Sequence, residues 1–192
     1  MTSSKKTMTP FARSLRTMAS KICVADTRNQ VDDFAVKSIE SQGYTVKRMA
    51  LPFGDFALID NLTCAVDIKS SGGGIVEIAK NICSKDHERL KREIMKCAEW
   101  GGEICFLVAN NDGITKLEQL AEWKSPCHKS GKFKGQPFTR VKGETLMKAI
   151  KTMSQPNYYA DGLTVHFSFC SKENAGRKIL NILEYWKKEK NQ

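Results

Sequence analysis

Asp55, Asp67 and Lys69 are the residues whose types and spacing could do chemistry. They stand in two runs of strand composition, Gly54-Asp55-Phe56-Ala57-Leu58-Ile59-Asp60 and Thr63-Cys64-Ala65-Val66-Asp67-Ile68-Lys69, with a turn near Asn61. A reversal at Asn61 sets residue 55 opposite residue 67. Side chains alternate along a strand, so Phe56, Leu58, Cys64, Val66 and Ile68 share an apolar face, and Asp55, Ala57, Ala65, Asp67 and Lys69 share the other. The small Ala57 and Ala65 are expected to leave that second face open. Opposed carboxylates have Cβ atoms roughly 5 Å apart and repel each other, so a fold keeps them there only with a cation between or beside them. A divalent metal is the obvious cation. Hard oxygen ligands select Mg²⁺ or Mn²⁺ over zinc.

The elements that position these residues follow from periodicity. Lys21 to Asp26 reads as a first strand, and Gln30 to Ser41 as a helix with Val31, Phe34, Ala35 and Ile39 at helical spacing before Gly43. Tyr44 to Leu51 is a second strand. Asp26 ends the first strand, where a polar residue emerges at a sheet edge or cleft and sites form in α/β sheets; taken alone it also suits a turn or helix cap. Beyond the hairpin, Ser70-Ser71-Gly72-Gly73-Gly74 reads as a mobile link into helices at Ile75 to Cys83 and Asp86 to Trp100. Glu103 to Ala109 is a continuous apolar run, expected to be buried on both faces at the sheet's centre. Thr115 to Lys124 looks helical. Lys124 to Lys142 is a loop with six basic residues (Lys124, Lys129, Lys132, Lys134, Arg140 and Lys142), no acid, and Phe133 and Phe138 between them. Such a loop suits either plain solvation or single-strand and junction contacts. Glu144 to Met153 should be a helix, Leu163 to Phe169 a strand, and Glu173 to Lys188 a closing helix.

Composition narrows the class. At 192 residues the chain suits one α/β domain over 21–192, preceded by a basic segment, 1–20, with no acid. That segment superficially resembles a transit peptide and equally suits a flexible arm near phosphates; we read it as the arm. A net charge of +10, from 31 Lys and Arg against 21 Asp and Glu, is the balance of a protein whose partner is a polyanion, with nucleic acid ahead of a membrane surface. Seven cysteines with no CxxC pair read as buried free thiols in a reducing compartment. Cys127-His128 is an isolated pair of soft ligands, and His87 and His166 sit on a predicted helix and strand; we assign none of them chemistry. No apolar stretch reaches the roughly 20 residues of a membrane span. A soluble protein of the cytoplasm, with no small-molecule substrate, is expected.

Three segments taken in order carry a resemblance: Val24-Ala25-Asp26-Thr27-Arg28, then Gly54-Asp55-Phe56, then Val66-Asp67-Ile68-Lys69-Ser70. The set resembles the XPF-type branch of the PD-(D/E)xK, restriction-endonuclease-like nucleases, which have a strand ending in V-D-x-R-E, a G-D-Y or G-D-F at the start of a hairpin, and E-R-K-S at its end. Arg89-Leu90-Lys91-Arg92-Glu93 is similar to that family's R-L/F-x-x-Q helix. The motif likeness covers roughly 21–110, and weaker similarity of 145–150 and 165–170 points to small phage and bacterial members. The resemblance implies a three-layer α/β/α restriction-endonuclease-like fold with a central mixed β-sheet flanked by helices. It implies that Asp26, Asp55, Asp67 and the Ile68 carbonyl ligate Mg²⁺ or Mn²⁺, and that Lys69 is the catalytic lysine. DNA is the implied partner, with Arg28, Arg89 and Arg92, and in the basic loop Lys129, Lys132, Lys134 and Arg140, as candidate contacts. The implied activity is phosphodiester hydrolysis leaving 5′-phosphate and 3′-hydroxyl ends, on flaps, forks or junctions in replication, recombination or repair.

The sequence departs from that pattern in four places. Asn29 stands for Glu, Asp67 for Glu, Ile68 for Arg and Glu93 for Gln. No helix-hairpin-helix module is recognisable, which leaves a homodimer without its usual device. Two other readings stay open: a DNA-binding scaffold or partner subunit that keeps the fold without cutting, and a Holliday-junction resolvase or restriction-type nuclease of the same superfamily. Residue by residue, Asp55 also fits a turn, and Asp67 with Lys69 an exposed charge pair.

Overall fold

The computed structural model describes residues 21–29, 32–84 and 86–190. The expected basic arm, 1–20, lies outside the described residues, as does Val31 of the first predicted helix.

Six strands, β1 (Ile22–Asp26), β2 (Thr45–Met49), β3 (Phe56–Leu58), β4 (Asn61–Lys69), β5 (Glu103–Asn110) and β6 (Val165–Ser171), form one sheet in the order β2-β1-β3-β4-β5-β6. β1 pairs parallel with β2, antiparallel with β3, and β3 pairs antiparallel with β4, so β3 alone runs against the rest. β4, β5 and β6 are parallel. Their connections are crossovers carrying helices, as parallel pairing requires. The helices are α1 (Asp33–Glu40), α2 (Ile75–Cys83), α3 (His87–Glu99), α4 (Gly143–Met153) and α5 (Ala175–Glu189).

The sheet is covered on both faces, which gives the α/β/α layering. On one face Ala65, Ile104, Phe106 and Val108 pack against Ile75, Ile78 and Ala79 of α2, Leu90 and Ile94 of α3, and Leu146 and Ile150 of α4. On the other, Phe56, Leu58, Cys64, Val66, Ile68, Cys105 and Leu107 pack against Ala35 and Ile39 of α1 and Ile179, Leu180 and Leu183 of α5. The apolar face assigned to the hairpin from alternation is therefore a core face. Burial of this kind contributes roughly 25 cal/mol per Å² of apolar surface and dominates the stability of such a domain.

Several expectations shift. The chain reverses at Ile59-Asp60, not at Asn61, and a register irregularity between Ala57 and Leu58 restores the pairing Ala57↔Ala65 and Phe56↔Val66. Ala57 and Ala65 do not leave their face open; both are fully buried. Within residues 70–74, Ser71–Gly73 forms a short 3-10 turn, and the preceding Ser70 is buried. β5 is fifth in the order rather than central, and the continuous apolar run reports only that both its faces are covered. The helix expected at 115–124 is a 3-10 segment, Leu117–Glu122, that buries only Leu120. Five cysteines are buried and all seven are free, but Cys83 and Cys127 are exposed. Among the described residues no helix is long and apolar enough to cross a membrane.

Candidate active site

The site begins with a glycine. Gly54 has φ +68°, in the left-handed region, and a Cβ there would stand 2.7 Å from the Ala65 Cβ. A side chain at 54 would meet both backbone strain and a clash, so Gly54 and the small Ala65 are one requirement. The Gly54 N–H donates to Glu93 Oε1 on α3 (2.8 Å), which ties the turn to the neighbouring helix.

Asp55 follows and bridges two strands. Its N–H donates to the Val66 carbonyl (2.9 Å) and its carbonyl accepts from the Asp26 N–H (2.8 Å), so it extends β3 pairing toward both β1 and β4. Asp55 directly precedes the Phe56↔Val66 pair and lies near enough to Asp67 for that charge to bear on its carboxyl. Asp55 Oδ2 accepts the Ile68 N–H (2.8 Å). A strand residue's N–H and C=O leave by the same edge, so the Ile68 carbonyl opens on the Asp55 side as well. Two residues along β4 from Asp67, Lys69 returns to the same face.

These groups are withdrawn from water: Asp67 is 8% and Lys69 7% exposed. Burial raises the Asp55 carboxyl well above the usual carboxylate range, the Asp67 charge adds to the rise, and Lys69 and the Ile68 N–H oppose it. Burial disfavours the Lys69 charge, yet the Asp67 carboxylate beside it holds that ammonium above its ordinary value. Lys69 Nζ lies 2.5 Å from Asp67 Oδ1 and 5.5 Å from the centre of the Phe106 ring. The Asp67 Oδ1 oxygen is thus held against the Lys69 ammonium.

A cleft of about 360 Å³ opens over these residues. It brings together Asp26, Arg28, Asp55, Asp67, Ile68, Lys69 and Arg89 of the sequence-predicted set. Arg92, Lys129, Lys132, Lys134 and Arg140 do not line it; all five are exposed elsewhere on the surface. Asp26 and Arg28 are bound to each other. Asp26 Oδ1 accepts the Arg28 N–H (2.9 Å), Oδ2 accepts Arg28 Nε (2.9 Å), and Arg28 Nη2 makes a close contact with Oδ2 while donating to the Leu51 carbonyl (2.7 Å). Burial works to raise the Asp26 carboxyl, but the Arg28 hydrogen bonds and charge carry it below the ordinary range.

Residues that the sequence reading passed over also line the cleft. Asp32, buried just before α1, accepts from Ser70 Oγ (2.6 Å) through Oδ1 and from Asn29 Nδ2 (2.7 Å) through Oδ2. Glu77 accepts the Ser71 N–H (2.8 Å), and burial raises its carboxyl against the opposing charge of Lys69. Glu77 had a sequence signal, an acid inside the apolar run Ile75-Val76-Glu77-Ile78-Ala79. Asp32 had none beyond a helix-capping position.

Among the described residues, no three His, Cys, Asp or Glu side chains converge as a metal cluster. The donors that face one another at the hairpin are two carboxylates and a backbone carbonyl. Hard oxygen donors lining an open cleft fit a hard divalent cation that retains several waters.

No protein-family model matches the chain, and no curated protein matches it. Solved structures do. The mixed six-stranded sheet with helices on both faces is an α/β architecture. The structure titled XPF from Aeropyrum pernix matches it with a TM-score of 0.55 at 17% identity, over 86% of this chain and 65% of that one. The likeness shows the XPF nuclease-like fold, and the chain spans about two thirds of that structure's length.

Proposed function

We propose that this protein is a Mg²⁺- or Mn²⁺-dependent deoxyribonuclease. The observation that carries the reading is the gathering of Asp55, Asp67 and Lys69 in one cleft at the end of the hairpin, with Lys69 against Asp67 and the Asp67 charge acting on Asp55. Buried like charges repel, so a second cation beside Lys69 would be held strongly between them. Asp55, Asp67 and the Ile68 carbonyl would hold the ion, with Asp26 at the cleft wall as a further ligand once released by Arg28. When bound, the ion would supply Lewis acidity to a phosphoryl oxygen and orient a water. Lys69, kept protonated by Asp67, would stabilise the negative charge that develops on the phosphoryl oxygens. Arg89 on the cleft wall would hold a neighbouring phosphate, and Arg92 and the loop residues Lys129, Lys132, Lys134 and Arg140 would contact the DNA backbone farther out. Structured DNA such as flaps, forks or junctions, in a phage or bacterial setting, is the substrate class in keeping with the motif resemblance.

The test is cleavage of labelled duplex, single-strand, flap, fork and four-way-junction DNA with Mg²⁺, Mn²⁺ or EDTA. Asp67→Asn and Lys69→Ala should each lower cleavage by about 100-fold or more while leaving most DNA affinity in place, since contacts elsewhere supply it. Cleavage by either variant at the wild-type rate would sink the site. A second reading, a non-cutting DNA scaffold, is favoured by the Arg28 clamp on Asp26 and by Asn29 in the place of Glu. Binding without cutting under every metal would establish it.

A further inference from the structure

The loop over 124–142 is built, not merely solvated. Residues 126–128 and 136–138 pair through a bridge between Cys127 and Pro137, with His128 N–H donating to the Gln136 carbonyl (2.9 Å), Gly135 N–H to the His128 carbonyl (2.9 Å) and Phe138 N–H to the Pro126 carbonyl (2.9 Å). This small ladder gathers three rings. The His128 imidazole lies 4.0 Å from the Phe138 ring and 5.8 Å from the Phe133 ring, centre to centre, with Lys132 Nζ 6.0 Å from the centre of Phe133. Phe133 is 51% and Phe138 37% exposed, and neither belongs to the cores of the sheet. Lys129, Lys132, Lys134 and Arg140 flank them along the chain, all exposed, with no acid between residues 124 and 142.

The base of the loop is fixed. Asp112, just past the C-terminal end of β5, accepts Trp123 Nε1–H (3.1 Å). A Cβ on Gly143 would stand 1.8 Å from the Leu120 carbonyl oxygen and 2.8 Å from that of Trp123, so the two ends of the loop close on a contact only glycine permits. β4 and β5 run parallel, so this base sits at the same end of the sheet as Asp67 and Lys69.

We propose that the 126–138 finger is a stacking platform for unpaired bases of a DNA strand entering or leaving the cleft. The proposal rests on the reading of DNA as the partner. Bases within a duplex stack on one another and leave no face for a side chain, whereas unpaired bases stack on exposed aromatic rings while cations track the backbone. An acidic protein or anionic surface would be served by the lysines alone and leaves the ordered aromatic group unexplained.

The test is fluorescence anisotropy in EDTA, where no cleavage occurs, with an oligo-dT of about 20 nucleotides and a blunt duplex of equal length. The Phe133→Leu/Phe138→Leu double variant should bind the single strand about tenfold or more weakly and the duplex within about twofold of wild type. Lys129→Ala/Lys132→Ala/Lys134→Ala should weaken both. In addition, photocrosslinking of a 5-iododeoxyuridine oligonucleotide to the unaltered protein should map to His128, Phe133 or Phe138. Equal loss on both DNAs, no loss, no single-strand binding by wild type, displacement of oligo-dT by poly-glutamate, or crosslinks confined elsewhere would each overturn the proposal. Because these readouts need no cutting, an inactive cleft would leave them unchanged, and the two readings fail separately.

Discussion

Asn29 replaces the Glu of the resembled motif, yet it is not idle. It donates to Asp32, its side chain also hydrogen-bonds Asp55, and Asp32 in turn holds Ser70, the residue after Lys69. One buried carboxylate thereby reaches Asp55 through Asn29 and the end of β4 through Ser70. Asp32→Ala should raise the Mg²⁺ concentration for half-maximal cleavage about tenfold while changing the rate at saturating metal little, the range typical of lost support behind metal ligands. A metal titration of cleavage, read beside a thermal melt, checks this; an unchanged half-saturation would reduce Asp32 to a packing role. Asp26 and Arg28 make a different prediction. The folded carboxyl is depressed by Arg28, so the unfolded chain takes up the proton first as pH falls. The pair's contribution is therefore complete above the ordinary carboxylate range near 4 and is lost as pH drops through the lower folded value. Arg28 is 57% exposed, which limits the pair to about 1 kcal/mol. Arg28→Ala should melt roughly 2–4 °C below wild type at neutral pH, and the gap should close in acid. A gap independent of pH would rule out the pair as its cause.

At the scale of elements, what the sequence made legible was whatever a single strand's alternation decides. Asp67 and Lys69 could be placed on one face because period two leaves no other choice along β4, and Asp55 could be placed near them because it starts the run that pairs with that strand. The turn itself was misplaced by two residues, since the irregularity at Ala57-Leu58 absorbs the difference and nothing in Ile59-Asp60-Asn61 announces it. The order of the sheet was not legible either: the apolar run of β5 says that both faces are covered, and burial between β4 and β6 satisfies that as well as a central place would. Asp32 and Glu77 come from α1's approach and α2, and whether their side chains reach the hairpin depends on how each crossover lays its helix on the sheet. Local patterning carries no such information. The same holds for the finger: Lys124 to Lys142 was readable as a basic loop, but the pairing of Cys127 with Pro137 that brings His128 between two phenylalanines depends on backbone turns that charge and composition do not encode.

The whole molecule sets its charges against each other. The chain carries +10, yet the cleft is lined by six carboxyl side chains, Asp26, Asp32, Asp55, Asp67, Glu77 and Glu93, against only Arg28, Lys69 and Arg89. A phosphodiester drawn to the basic exterior meets a net acidic cleft, where low dielectric walls strengthen the repulsion and salt screens it poorly. A divalent cation bound between the carboxylates offsets most of that excess at the point where the phosphate must sit. In EDTA, the Asp55→Asn/Asp67→Asn double variant should therefore bind duplex DNA more tightly than wild type, by about threefold or more for the negative charge removed near one phosphate. Mg²⁺ should tighten the wild type by a similar factor and leave the variant nearly unchanged, because the variant has lost both the repulsion and the site. Anisotropy titrations of one duplex at fixed ionic strength separate the cases, since salt acts on every phosphate contact and Mg²⁺ must be compensated with monovalent ion. Equal affinities in EDTA together with equal responses to Mg²⁺ would mean that the opposed carboxylates never face the phosphate, and the metal-binding role of Asp55 and Asp67 would have to be given up.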